Sequence, residues 1–164
     1  MTIIVADAGP LIGFARIGKL DIIRHLFNFV FIPQKVFDEI TVAGEKPGAK
    51  AVSKAVTSGW IKIVKVQNNK LTDKLSVLVD KGEAEAIQLS LERNADLLLI
   101  DDKKGRKVAR KFGIKIIGTG GVLLKAKKIG LINQVSFAIS DLANAGYRIS
   151  TALCNKILEL AEEI

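Results

Sequence analysis

With 17 acidic side chains, one histidine and one cysteine, the sequence offers carboxylates as its chemical groups. His-pair zinc motifs, two-histidine acid–base catalysis and thiolate-rich metal sites are excluded by that inventory. No G-x-S-x-G, C-x-x-C or Walker A pattern occurs. His25, in "LDIIRHLF", reads as a helix-surface or cap residue, and Cys154 as a small buried side chain in an amphipathic segment.

A few acids stand where a solvated surface charge is a poor explanation. Asp7 directly follows the apolar run "TIIVA", and Asp101 and Asp102 directly follow "LLLI". Apolar runs of this kind are what parallel strands buried on both faces look like. The three acids therefore fall at strand carboxyl ends, where the functional crevice of an open α/β sheet lies. Asp96 precedes "LLLI" and belongs to the opposite end of the sheet, in a structural role. In "GEAEAIQLSLE", at about 100° per residue, Glu83 shares the apolar face with Ala84, Ile87 and Leu91. Glu85 and Glu92 fall on the solvent side. The same geometry in "PQKVFDEIT" puts Glu39 at the border of the Val36–Ile40 face and turns Asp38 away.

Burying a lone carboxylate costs several kcal/mol unless something compensates it. For Glu83 the compensation could be a cation or the helix N-terminus it lies near. If Asp7, Glu39, Glu83 and Asp101 or Asp102 converge, their repulsion calls for shifted pKa values or a bound cation. Oxygen-only ligands favour Mg²⁺ or Mn²⁺, ions that take phosphate oxygens and can activate water for phosphodiester hydrolysis.

Immediately after Asp102 comes "KKGRKVARK". On a helix, Lys103, Lys104, Arg106, Lys107, Arg110 and Lys111 gather on one face, with Val108, Ala109 and Phe112 opposite. A solvated helix face is the ordinary explanation of such a pattern. Two lysines at a helix N-terminus, where cations are disfavoured, argue for a phosphate-gripping ridge beside the acids. "GTGG" (118–121) is a tight strand–helix turn with a weaker claim to hold a phosphate. With 5% aromatic residues, stacking on bases does not dominate recognition.

The elements that must position these groups alternate. Strands are expected at 2–6, 29–32, 60–66, 97–100 and 114–117. Helices are expected at 10–27, 33–41, 48–58, 70–80, 82–93, 103–112, 119–129, 132–145 and from Ser150 to about Glu163. Pro33 suits a first helical turn, Ser150 an N-cap, and Gly18, Gly59, Gly113, Gly130 and Gly146 helix ends. Trp60 packs at a strand start. Residues 41–50, "TVAGEKPGAK", form the one obvious loop. Alternation of this kind implies βαβ units and a three-layer α/β/α sandwich around a mainly parallel sheet, with residues 1–164 as a single domain. The apolar C-terminal segment, "ISTALCNKILELAEEI", packs either on its own domain or on a partner.

No apolar run approaches the roughly 20 residues of a membrane span, and the N-terminus lacks a basic n-region, so a cytoplasmic protein is expected. The net charge of +8 favours polyanionic partners, in affinity and association rate only.

Taken together, Asp7 after its strand, "IPQKVFDEI", "GEAEAIQLSLERNADLLLIDD", "GRKVARKFG" and "GTGGVLLKAKKIGLI" resemble a PIN-domain protein, nearest the branch of VapC-type toxins, over nearly the whole chain. The resemblance implies an endoribonuclease dependent on Mg²⁺ or Mn²⁺, acting on single-stranded or structured RNA. It carries the metal-binding acids to Asp7, Glu39, Glu83 and Asp101, with Asp102 as an adjacent substitute. It also implies a dimer and, in a toxin–antitoxin module, a small antitoxin partner. One departure stands out: the family commonly follows its first Asp with a Thr or Ser, and here Ala8 and Gly9 take that place. That departure leaves room for a non-catalytic RNA-binding or regulatory protein. A phosphoacceptor receiver domain fits worse, because its acidic pair belongs near the first strand.

Overall fold

The computed structural model describes residues 2–42 and 47–164. Of the loop expected at 41–50, residues 43–46 lie outside the described residues, and residues 47–50 already belong to a helix. Five strands form one sheet: β1 (Ile4–Ala6), β2 (Val30–Pro33), β3 (Ile61–Val64), β4 (Leu97–Leu99) and β5 (Ile116–Ile117). Every pairing is parallel and the order is β3-β2-β1-β4-β5. The expected α/β/α sandwich is what the chain adopts.

Strand periodicity splits the core in two, because successive side chains leave opposite faces of a strand. Ile4, Ala6, Val30, Ile32, Leu99 and Ile117 point to one layer. There they meet α1 (Ala8–Arg16), α2 (Asp21–Phe27), α4 (Pro47–Ser58), α8 (Thr119–Lys128), α9 (Val135–Asn144) and α10 (Thr151–Leu160). Val5, Leu98 and Ile100 point to the other layer, which holds α5 (Asn69–Leu75), α6 (Lys81–Glu92) and α7 (Lys103–Lys111). The remaining helix, α3 (Gln34–Thr41), leads from β2 and inserts Val36 and Ile40 into the first layer.

Several boundaries differ from expectation for local reasons. The helix expected over 10–27 is two helices, because Gly18 adopts φ +70 and the Lys19 amide returns to Phe14 O at 2.9 Å. Such a left-handed residue closes a helix C-terminus. Pro33 is the last residue of β2 and the extended N-cap of α3, not part of its first turn. The helix expected over 70–80 stops at Leu75; four of the expected strands shorten to their paired residues, while the one expected over 29–32 shifts to Val30–Pro33. Ser150 caps α10 by accepting the Leu153 amide, and Val30 N bonds Trp60 O at the start of β3. The C-terminal segment packs on its own domain: Ile157 is buried, and the Glu163 carboxylate accepts the Val135 and Ser136 amides that open α9. Cys154 is half-buried, not fully enclosed, because α10 lies at the surface and lends mainly Ile157 to the core. His25 is exposed on α2, with Nδ1 2.8 Å from Asp21 O.

Among the described residues no helix is long and apolar enough to cross a membrane.

Candidate functional site

The topology reverses direction around β1: β2 and β3 lie on one side, β4 and β5 on the other. A parallel sheet opens its crevice at such a switch point, beyond the strand carboxyl ends. Asp7 leaves β1 there, its amide held by Leu99 O at 2.9 Å, and Asp101 and Asp102 leave β4 beside it.

Asp7 is only 7% exposed and stands at the N-cap of α1. Burial raises its pKa from 3.8 to about 7; the Ala8 amide opposes that, and Asp80, Glu39 and Asp102 add to it. Glu83, in the first turn of α6, is 5% exposed. Burial drives it well above the ordinary carboxylate range, followed by a hydrogen bond shared with Asp102 and by the charges of Asp80 and Asp7. Glu39 reaches over from α3, half-buried and raised by burial and by Asp80, while Lys35 and the Gly82 amide pull it back. A Cβ on Gly82 would lie 2.5 and 2.7 Å from the Glu39 carboxylate oxygens, so only glycine lets that carboxylate rest on the start of α6. Asp102 is exposed and caps α7, accepting the Gly105 amide at 2.9 Å.

Five acids therefore share one electrostatic neighbourhood: Asp7, Glu39, Asp80, Glu83 and Asp102. Asp80 is the member that sequence reasoning missed. Its side chain accepts the Glu83 amide at 2.8 Å as the N-cap of α6. The signal was present, since Asp three residues before Glu at a helix start is a capping pattern. Glu85 and Glu92, expected on the solvent side, are half-buried. Glu92 accepts the Gln67 and Asn68 amides and Gln88, and Glu85 accepts the Lys35 amide. Asp38 is exposed as expected, and Asp96 ties down the Ile3 amide at the other end of the sheet.

Asp101 is set apart. Its Oδ1 accepts the Thr119 amide at 2.7 Å, and its Oδ2 accepts the Thr119 and Tyr147 hydroxyls. The start of α8 is thus occupied by a side chain of the protein itself, and the "GTGG" turn serves packing. A Cβ on Gly120 would meet Ile157 at 2.6 Å, and one on Gly121 would meet Ile117 at 2.8 Å. Nothing local in the sequence announces Tyr147, which lies 46 residues beyond Asp101.

The carboxylates do not point at one centre. Among the described residues no three of them are grouped closely enough to hold a metal ion. Three of them have turned to nearby donors: Glu39 to the Gly82 amide, Asp102 to that of Gly105, and Asp101 to Thr119 and Tyr147. In donor chemistry the set still suits a hard divalent cation, being oxygen-only, partly buried and mutually repelling.

The cationic helix is the expected one with two corrections. Lys103, Lys104, Lys107, Arg110 and Lys111 are exposed, but Arg106 is half-buried and donates Nη1 to Ile100 O at 2.9 Å. It flanks Gly118 together with Asp101 and so belongs to the site floor rather than the open ridge. Burial and then Arg110 lower its pKa, which Asp101 counteracts. Phe112 is 42% exposed, so the apolar side of α7 narrows to Val108 and Ala109.

This fold and site define a parallel α/β protein with an acid-lined crevice at its switch point and a lysine-rich helix on the crevice rim. A PIN-domain family model matches residues 3–163, and the chain belongs to the PIN-domain family. PIN domains are in general nucleases and generally use divalent metals. No curated protein matches the chain.

Proposed function

We propose that the protein is a divalent-metal-dependent ribonuclease. The observation that carries this reading is the acid cluster at the ends of β1 and β4, its members destabilised by burial and by one another, beside five exposed cations on α7. A protein does not gain stability by burying acids that repel each other, so the arrangement serves a positively charged ligand. Asp7, Glu39, Glu83 and Asp101 or Asp102 would hold Mg²⁺ or Mn²⁺, with Asp80 close to the same ligands. A bound ion of this kind supplies charge neutralisation at the phosphate and a more acidic water. The chain's own part is positional. α6 and α7 fix Glu83 and Asp102 through their caps, and Lys103, Lys104, Lys107, Arg110 and Lys111 hold the phosphate backbone at the crevice rim.

The choice of RNA, a toxin role with a small antitoxin, and assembly as a dimer extend the same reading on the strength of the motifs resembling VapC-type toxins. A second reading, an RNA-binding protein without cleavage, gains support from the inward hydrogen bonding of Asp101 and from Ala8 and Gly9 after Asp7. End-labelled single-stranded RNA incubated with Mn²⁺ or Mg²⁺, with an EDTA control and Asp7→Asn, separates the two. Cleavage that needs the metal and is lost in the variant is the expected result. RNA binding without cleavage across many RNAs would establish the second reading, and cleavage surviving in Asp7→Asn would overturn the site.

A further inference from the structure

We propose that Tyr147 is the positioning residue of Asp101: reaching along α1 from the end of α9, it holds one carboxylate oxygen in place and leaves the group room for a cation. This inference rests on the metal-dependent reading above and names a residue that neither motif nor spacing assigns to it.

The geometry is built from small residues. Tyr147 follows α9, and its amide bonds Leu142 O at 2.8 Å, which fixes the backbone that launches the side chain. The ring lies along the glycines of α1. A Cβ on Gly13 would come within 3.1 and 3.2 Å of the ring carbons, and one on Gly9 within 3.8 Å of the phenol oxygen. Two glycines one helical turn apart thus form a groove that admits this ring, and a larger residue at position 13 would push it away. At the end of the groove the hydroxyl donates to Asp101 Oδ2, with the Thr119 hydroxyl 3.5 Å away and bonded to the same oxygen. Burial and the neighbouring Asp101 charge keep the phenol protonated and so a donor.

A carboxylate offers about four lone-pair sites, and Thr119 and Tyr147 take three of them. That leaves Asp101 oriented, with one lone-pair site that these donors do not take. Its chain neighbour Asp102 is exposed and is held only through the α7 cap and Glu83. Tyr147 also supplies a hydroxyl to the crevice beside a segment, Ala8–Gly9, that has none. A serine at position 9 would bring its hydroxyl toward the place the phenol occupies.

The test compares wild type, Tyr147→Phe and the double variant Tyr147→Phe/Gly9→Ser. The readouts are Mn²⁺ affinity by proton relaxation, RNA cleavage, the thermal midpoint, and the ¹³C resonance of the Asp101 carboxyl group without metal. Removing an outer partner of a metal ligand typically weakens binding by 10–100-fold. Tyr147→Phe is therefore expected to weaken Mn²⁺ binding by about tenfold and to move the Asp101 resonance, and Gly9→Ser to restore much of both. A purely structural tyrosine would lower the thermal midpoint, and serine would rescue nothing. If wild type binds no Mn²⁺ and cleaves no RNA, the proposed function fails and the cation role of Asp101 fails with it, while the Asp101 resonance still decides whether Tyr147 orients that carboxylate. A resonance unchanged between wild type and Tyr147→Phe overturns it.

Discussion

Asp101 and Asp102 are neighbours in the chain but occupy opposite settings. Asp101 faces the β5–α8 side, where three donors converge on its two oxygens. Asp102 faces the α6 side, where buried Glu83 and Asp7 face other acids. The first region is satisfied by the fold; the second is left strained by it. Hydrogen-bonded polar groups contribute to stability, whereas clustered buried acids subtract from it until a cation arrives. Substitutions that remove a charge from the two regions should therefore change stability with opposite signs.

The largest effects test that opposition directly. Asp101→Asn points an amide NH₂ at hydroxyl donors and should destabilise the fold by about 1–3 kcal/mol, read by urea unfolding. Glu83→Gln should do the reverse at pH 9 without divalent cations, stabilising by a similar ~1–3 kcal/mol, and the gain should vanish near pH 5. If both variants destabilise equally at pH 9, the contrast between the regions is wrong.

The pH dependence sharpens it. Asp7 binds its proton more tightly in the folded state, with a pKa of about 7 against an ordinary 3.8. Its contribution is thus fully present below pH 4 and is lost as pH rises through 7, at up to about 1.4 kcal/mol per pH unit. The stability gained by Asp7→Asn over wild type should grow across that window and then level off. Saturating Mg²⁺ or Mn²⁺ should cancel the difference, since the ion relieves the same repulsion.

Smaller effects separate geometry from stability. Gly82→Ala should leave the unfolding free energy within about 1 kcal/mol of wild type, because alanine's gain in the helix offsets the crowding. It should nevertheless reduce metal-dependent cleavage several-fold, because its Cβ collides with the Glu39 carboxylate. Each Lys→Ala change at 103, 104, 107 or 111 should weaken RNA binding modestly and lower the salt slope by about one. Arg106→Ala should act through folding instead, since its guanidinium is bonded to Ile100 O.

Much of this was legible in the sequence because local rules governed it. The apolar runs marked the strands, and the five glycines expected at helix ends all adopt positive φ. Helical periodicity separated Glu83 from Glu85 and Glu39 from Asp38, because a face is set by residue spacing alone. Asp80 could have been found by the same reasoning, as an N-cap three residues before Glu83. What spacing could not decide is which neighbour each side chain meets. The parting of Asp101 from Asp102, the withdrawal of Arg106 to Ile100 O and the arrival of Tyr147 on the α1 glycines all depend on contacts between distant segments. Sequence order determined the acids, the strands they follow and the cationic helix. Only the packing of α8, α9 and α1 around the carboxyl end of β4 decided which acid is satisfied and which is left strained, because hydrogen-bond donors 18 and 46 residues away have no signature in local periodicity.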